Sequence, residues 1–140
     1  MHIVGIAILA TAGLAFTAPV ASAAAVASLS GAQEVGGGDT NGTGAFAANR
    51  AGANRLCYGY SVYGIARPAA GHIHRGARGA NGSVVIPLRT PTAGSPGAIS
   101  GCVTAAPALI NEIFAYPARF YVNIHNGPFP DGAVRGQLRR

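Results

Sequence analysis

The chain has 140 residues and a formal net charge of +6, because ten arginines face only four carboxylates. This length suits one domain and excludes two. The positive charge permits nucleic-acid binding in principle, but the arginines are scattered and no aromatic run is interleaved with them, so we expect no nucleic-acid partner. A basic surface of this kind is better suited to small anions or acidic polymers.

Residues 1–23 predict a secretory signal peptide. Residues 3–20 are apolar and small, and the following Ala21-Ser22-Ala23 matches a small-residue cleavage site. The alternative is an uncleaved membrane anchor, which is disfavoured because Thr, Gly and Pro interrupt the apolar run. Cleavage after Ala23 would leave one secreted or periplasmic domain over residues 24–140, without a membrane segment.

The rest of the chain predicts an all-β protein. Gly and Pro recur at about the eight-to-twelve-residue spacing typical of antiparallel sandwiches, and the runs between them alternate in polarity. We therefore expect a Greek-key β-sandwich or barrel with one short helix. The predicted strands are 25–29, 42–48, 54–64, 71–74, 83–88, 119–125 and 133–138. Turns are predicted at 36–39 and 79–82, a loop at 89–97, and the helix at 105–114, before Pro117.

Cys57 and Cys102 are the two cysteines of the chain. An even pair in an exported protein favours a disulfide, which would constrain the unfolded chain by roughly 3–4 kcal/mol. The alternative is that a thiolate binds a metal. An oxidising compartment favours the bridge.

Three histidines remain after removal of the signal peptide, and strand alternation places each of them on a polar face. His72 and His74 point to one side of their strand and Ile73 to the other, with about 6.6 Å between the two histidine Cα atoms. His125 shares a face with Asn123 in a second strand. Two imidazoles from one strand and a third from another can converge on one metal ion.

The ligand type indicates the metal. Three neutral imidazoles without a neighbouring thiolate or carboxylate suit copper, and zinc less well. A closed structural zinc site takes four ligands, whereas three ligands with an open position suit a catalytic ion. Tyr58, Tyr60 and Tyr121 are candidates for an axial contact. Asn123 is a candidate to orient a ligand through a hydrogen bond, although it could equally cap a loop.

Six runs of the sequence resemble the CHRD domain, which is named for its repeats in chordin and also occurs singly in exported bacterial proteins. The runs are LSGAQEV at 29–35, GTGAF at 42–46, AGHIHRG at 70–76, NGSVV at 81–85, YVNIH at 121–125 and GAVRGQL at 132–138. Gly36 stands where the family often has Pro. The resemblance implies a β-sandwich or Greek-key barrel over residues 24–140, and it implies that His72, His74 and His125 form its site.

The chain is also similar, more weakly, to copper-zinc superoxide dismutases. These proteins have a His-x-His strand pair, a later His, a disulfide and an Arg that guides the anion, but this chain lacks their second His cluster for zinc. The similarity implies a copper-only site with Arg135 or Arg75 as the guiding residue. Arg135 could instead form an ion pair with Glu34, and Arg75 points away from the His pair along its strand.

Three hypotheses follow from the sequence. The leading one is an exported copper protein with superoxide dismutase-like redox activity, whose substrate is a small anion such as superoxide. The second is a non-catalytic module for copper storage or delivery. The third is an extracellular adhesion or matrix-binding module in which the histidines are structural.

Overall fold

The computed structural model describes residues 24–140, so the predicted signal peptide lies outside the described residues. The elements are β1 (Ala24–Ser30), β2 (Thr43–Arg50), β3 (Arg55–Tyr63), β4 (Pro68–Arg75), β5 (Val84–Leu88), β6 (Gly97–Thr104), α1 (Pro107–Ala115), β7 (Phe120–Asn126) and β8 (Val134–Gln137). Short 3-10 turns occupy Gly31–Gln33 and Pro117–Arg119. In this part of the chain no helix has the length and apolar character needed to cross a membrane.

The eight strands form one antiparallel sheet in the order β5-β4-β7-β8-β1-β2-β3-β6. Strands that are distant in sequence lie side by side, with β8 next to β1, β7 next to β4 and β6 next to β3. The edge strands β5 and β6 also contact each other, so the sheet curls into a nearly closed barrel. The predicted all-β fold with one short helix is confirmed.

The barrel interior holds the hydrophobic core. Phe120, Val122 and Ile124 of β7 are fully buried at alternate positions, as the period of two along a strand requires. Ile110 and Ile113 of α1 are also fully buried, and this helix contacts β1 and β3. The predicted helix is therefore confirmed, and it ends before Pro117.

Strand β6 is missing from the sequence prediction. Its sequence GAISGCVT consists mainly of small residues, and only Ile99 and Val103 pack against the core, where they are partly buried. An edge strand of this kind lacks the strong apolar alternation on which the prediction depends. Cys102 could have indicated this strand. The predicted disulfide places Cys102 beside Cys57, which lies in a predicted strand.

The predicted disulfide between Cys57 and Cys102 is confirmed. The two cysteines face each other across β3 and β6, with their Cα atoms 4.0 Å apart. The bridge therefore joins β6, at the edge of the sheet, to the neighbouring strand β3.

The face of β7 opposite its core residues is also covered by other parts of the chain. Tyr121 and Asn123 are each 3 % exposed. The Tyr121 hydroxyl accepts a hydrogen bond from the backbone N–H of Gly82, and the Asn123 amide donates to Glu34. Loops before β2 and between β4 and β5 therefore pack over this face, where the histidines lie.

Candidate metal centre

The three predicted histidines come together on neighbouring strands. β4 carries His72 and His74, and β7 carries His125. One ring nitrogen from each residue forms a group in which all three atoms lie within 4.8 Å of one another. The closest approach is 3.2 Å, between His72 Nδ1 and His125 Nε2. The three residues thus lie together, on the strand faces that alternation predicted.

Backbone carbonyls fix the orientation of two of these imidazoles. His74 Nδ1 lies 2.9 Å from the Gly82 carbonyl oxygen, and His125 Nδ1 lies 2.9 Å from that of Pro130. A carbonyl oxygen only accepts, so each Nδ1 carries the hydrogen and each Nε2 has a lone pair, which in His125 faces His72 Nδ1. His74 Nε2 is buried and has no hydrogen-bond partner among residues 24–140. A carbonyl on the outer nitrogen is the usual support of a metal-binding histidine.

The donor set fits a copper or zinc ion. Metal–imidazole distances of about 2.0–2.1 Å place two nitrogens of a tetrahedral site roughly 3.3 Å apart. The 3.2 Å separation of the His72 and His125 nitrogens matches this value. Three imidazoles without sulfur or carboxylate are a ligand set that copper and zinc accept.

The electrostatics keep two of the histidines in the form that binds a metal. Burial lowers the pKa of His72, and the nearby His125 and His74 lower it further. Burial also lowers the pKa of His74, with smaller contributions from His125 and Arg135, against the opposing effect of the Gly82 carbonyl. Both imidazoles are therefore neutral near pH 7, with a lone pair available to a cation.

A pocket of about 250 Å³ lies beside the histidines. It is lined by Val35, His74, Asn81, Gly82, Tyr121, Asn123, His125 and Asp131. This volume is large enough for a small molecule, and the lining is mostly polar. The site therefore has room for an external ligand next to the ring nitrogens.

Asn123 lines this pocket, but its hydrogen bond goes to a carboxyl group. Its amide nitrogen donates to Glu34 Oε1 over 2.5 Å, while its Oδ1 is buried without a partner among the described residues. Glu34 is 9 % exposed, and burial raises its pKa to about 7, against the lowering effects of Arg135 and Asn123. No ion pair joins Glu34 to Arg135 within residues 24–140. Sequence reasoning missed that Glu34 is buried.

Arg135 is only 1 % exposed, so it is not a free surface cation. Its guanidinium donates to the Ala77 carbonyl at 3.0 Å, the Ala80 carbonyl at 2.8 Å and Asn81 Oδ1 at 3.3 Å. It also lies over the Tyr121 ring, 3.4 Å from the centroid. The hydrogen bonds of Arg135 are thus made to a loop, and anion guidance by this residue stays a prediction.

Arg75 lies away from the histidines. Its side chain pairs with Glu112 of α1 and stands 4.9 Å from the centroid of the Phe120 ring. Since Phe120 belongs to the core face of β7, Arg75 is on the opposite side of the sheet from the three imidazoles. The structure therefore does not bring Arg75 to the site.

The three tyrosines considered as axial ligands separate into two groups. Tyr58 and Tyr60 bind the backbone of Arg89 through their hydroxyls. Tyr121 lies at the site, where its ring stacks on His74 at 4.7 Å between centroids, with 10° between the planes. Its hydroxyl accepts from Gly82 and so supports the loop.

The sequence comparison agrees with this architecture. The family model for the CHRD domain matches residues 25–138. No curated protein matches the chain significantly. The match spans nearly all of the barrel, from β1 to the residue after β8, and includes every residue of the histidine cluster. The chain therefore belongs to the CHRD domain family.

Proposed function

We propose that the protein is an exported copper-binding CHRD-domain protein whose three histidines hold one copper ion with superoxide dismutase-like redox activity. The observation that carries this proposal is the convergence of three imidazole nitrogens within 4.8 Å. Two of the rings are oriented by backbone carbonyls, and His74 Nε2 is a buried acceptor without a partner among the described residues. Histidines with a purely structural or surface role would not need converging ring nitrogens with fixed orientations.

Copper is favoured over zinc by the ligand set. The cluster consists of three histidines, and no Cys, Asp or Glu joins them within residues 24–140. A structural zinc ion usually takes four protein ligands, and divalent copper binds nitrogen ligands more tightly than zinc does. Three imidazoles and an adjoining pocket suit an ion that keeps one position for a small ligand.

The protein contributes binding and orientation in this proposal. When bound, copper would supply a one-electron redox couple. The Gly82 and Pro130 carbonyls hold His74 and His125 by Nδ1, which leaves Nε2 as the acceptor atom of each ring. The adjoining pocket admits a small anion such as superoxide, and the positive charge of the chain favours the approach of anions. The disulfide and the predicted signal peptide support a secreted or periplasmic location.

Copper storage or delivery is the second candidate function. The contacts of the two candidate guiding arginines favour it. Arg75 pairs with Glu112, and the guanidinium of Arg135 binds carbonyl oxygens of the loop between β4 and β5. Neither residue offers its hydrogen bonds to an anion in the pocket. A storage module needs the same three ligands but no guided access for superoxide.

The experiment uses purified residues 24–140 loaded with copper(II). Superoxide consumption is measured by pulse radiolysis for the wild type, His72→Ala and His125→Ala. Arg67→Ala, an exposed cation just before β4, is the control variant. The proposal expects catalytic consumption by the wild type and the control, and its loss in both histidine variants. Stoichiometric copper without superoxide consumption would favour storage, and the absence of copper binding would refute both functions.

A further inference from the structure

The carbonyl that orients His74 belongs to the loop between β4 and β5, residues 76–83, called here the β4–β5 loop. Its two ends are fixed by the backbone, through Gly76 N–H to the Arg119 carbonyl at 2.8 Å and Arg75 N–H to the Ser83 carbonyl at 2.9 Å. Residues 77–82 are exposed and lie outside any helix or strand. Gly82 therefore lies outside the strand hydrogen bonding, next to the fixed end of the loop at Ser83.

Arg135 supplies these contacts to the middle of the loop. Its guanidinium donates to the Ala77 and Ala80 carbonyls and to the Asn81 side chain, all within 3.3 Å. Three acceptors of one short loop thus meet a single planar donor group. A guanidinium presents up to five N–H groups in a fixed fork, which an ammonium does not reproduce.

Tyr121 connects the same two residues through its ring. β7 lies between β4 and β8 in the sheet, so His74 and Arg135 approach Tyr121 from opposite sides. The His74 ring stacks on Tyr121 with 10° between the planes, and the Arg135 guanidinium carbon lies 3.4 Å from the Tyr121 ring centroid. The Tyr121 hydroxyl also accepts from Gly82 N–H at 3.1 Å. Both the Gly82 peptide and the His74 ring are thereby held.

We infer that Arg135 is a positioning residue for the metal centre, which holds the β4–β5 loop and the Tyr121 ring so that the Gly82 carbonyl fixes His74 with its Nε2 directed for metal binding. This inference rests on the proposed metal site. It assigns Arg135 a role through hydrogen-bond geometry, whereas guidance of an anion would act through its positive charge. Replacement of Arg135 by lysine separates the two roles, because the charge is kept and the fork is lost.

The test compares the wild type, Arg135→Lys and Arg78→Ala. Arg78 is an exposed cation of the same loop, with no hydrogen bond to His74, Tyr121 or Arg135, so its removal is the matched control. Long-range ¹H–¹⁵N spectra of the metal-free proteins report which ring nitrogen of His74 carries the hydrogen. Isothermal titration with zinc(II), a redox-inactive probe, reports affinity. We expect Arg135→Lys to lose the fixed Nδ1–H form and to bind zinc at least about ten-fold more weakly, in the range known for outer partners of metal-binding histidines.

The outcomes distinguish this inference from the proposed function. If the wild type binds zinc and Arg135→Lys matches it in affinity and in the His74 spectrum, the positioning role is refuted and the metal site stands. If the wild type binds no metal, the metal proposal fails, and loss of the His74 Nδ1–H form in Arg135→Lys alone then shows that Arg135 orients this ring without a metal role. Should Arg135→Lys not fold, Asn81→Ala, which removes one exposed acceptor of Arg135, takes its place with the same expected direction.

Discussion

Glu34 provides a test of the electrostatics around the histidine pocket. The residue is 9 % exposed, and burial raises the pKa of its carboxyl from 4.5 to about 7. The folded state therefore binds more protons than the unfolded state between these two values, so this residue lowers stability as the pH rises from 4.5 to 7. At about 1.4 kcal/mol per pH unit the full effect is roughly 3 kcal/mol. Partial contact with solvent reduces the expected value to about 2 kcal/mol.

Glu34→Gln removes the ionisation and keeps an oxygen that accepts from Asn123. Urea unfolding of the metal-free protein at pH 4.5, 6, 7 and 8 measures the free energy of unfolding of both forms. Relative to the wild type, Glu34→Gln should gain about 2 kcal/mol between pH 4.5 and 8. Asp131→Asn, which removes an exposed carboxylate, is the control for the loss of one negative charge. A flat difference for Glu34→Gln would refute the conclusion that Glu34 is held as a buried acid.

Three further predictions concern the bridge, the loop and the pH dependence of binding. Replacing Cys57 and Cys102 by Ala should lower the free energy of unfolding by roughly 3–4 kcal/mol, measured in urea, since the bridge closes a separation of 45 residues; a loss below about 1 kcal/mol would contradict this reasoning. Gly82→Ala should lower the free energy of unfolding by about 1–3 kcal/mol and weaken metal binding, because the added methyl group overlaps the Arg75 carbonyl. Gly127→Ala serves as the control, since a methyl group there meets open space. Because the pKa values of His72 and His74 are lowered, zinc affinity measured by calorimetry should persist below the ordinary imidazole value of 6.5, and a decline that begins above it would contradict the lowered values.

The histidine cluster was predictable because it depends on a local rule. Side chains alternate along a strand, so His72 and His74 had to share a face, and the same rule placed His125 with Asn123. The pairing of β4 with β7, which brings the two faces together, is a long-range feature. The sequence supported it only through the resemblance to the CHRD domain.

The supports of the cluster were not predictable from the sequence. The Gly82 and Pro130 carbonyls reach the imidazoles through the conformation of two loops, and backbone acceptors have no signature in the side-chain sequence. An ion pair with Glu34 was one of two roles considered for Arg135, but each residue is buried with polar partners of another kind. Strand β6 escaped prediction because its small residues bury little apolar surface.

Copper binding by the three histidines is the central claim, and electron paramagnetic resonance of the copper(II)-loaded residues 24–140 tests it most directly. The expected result is one copper per chain, with hyperfine coupling to three imidazole nitrogens and the loss of one coupling in His74→Ala. A protein that binds no stoichiometric copper, or whose spectrum is the same in His72→Ala, His74→Ala and His125→Ala as in the wild type, would contradict the claim.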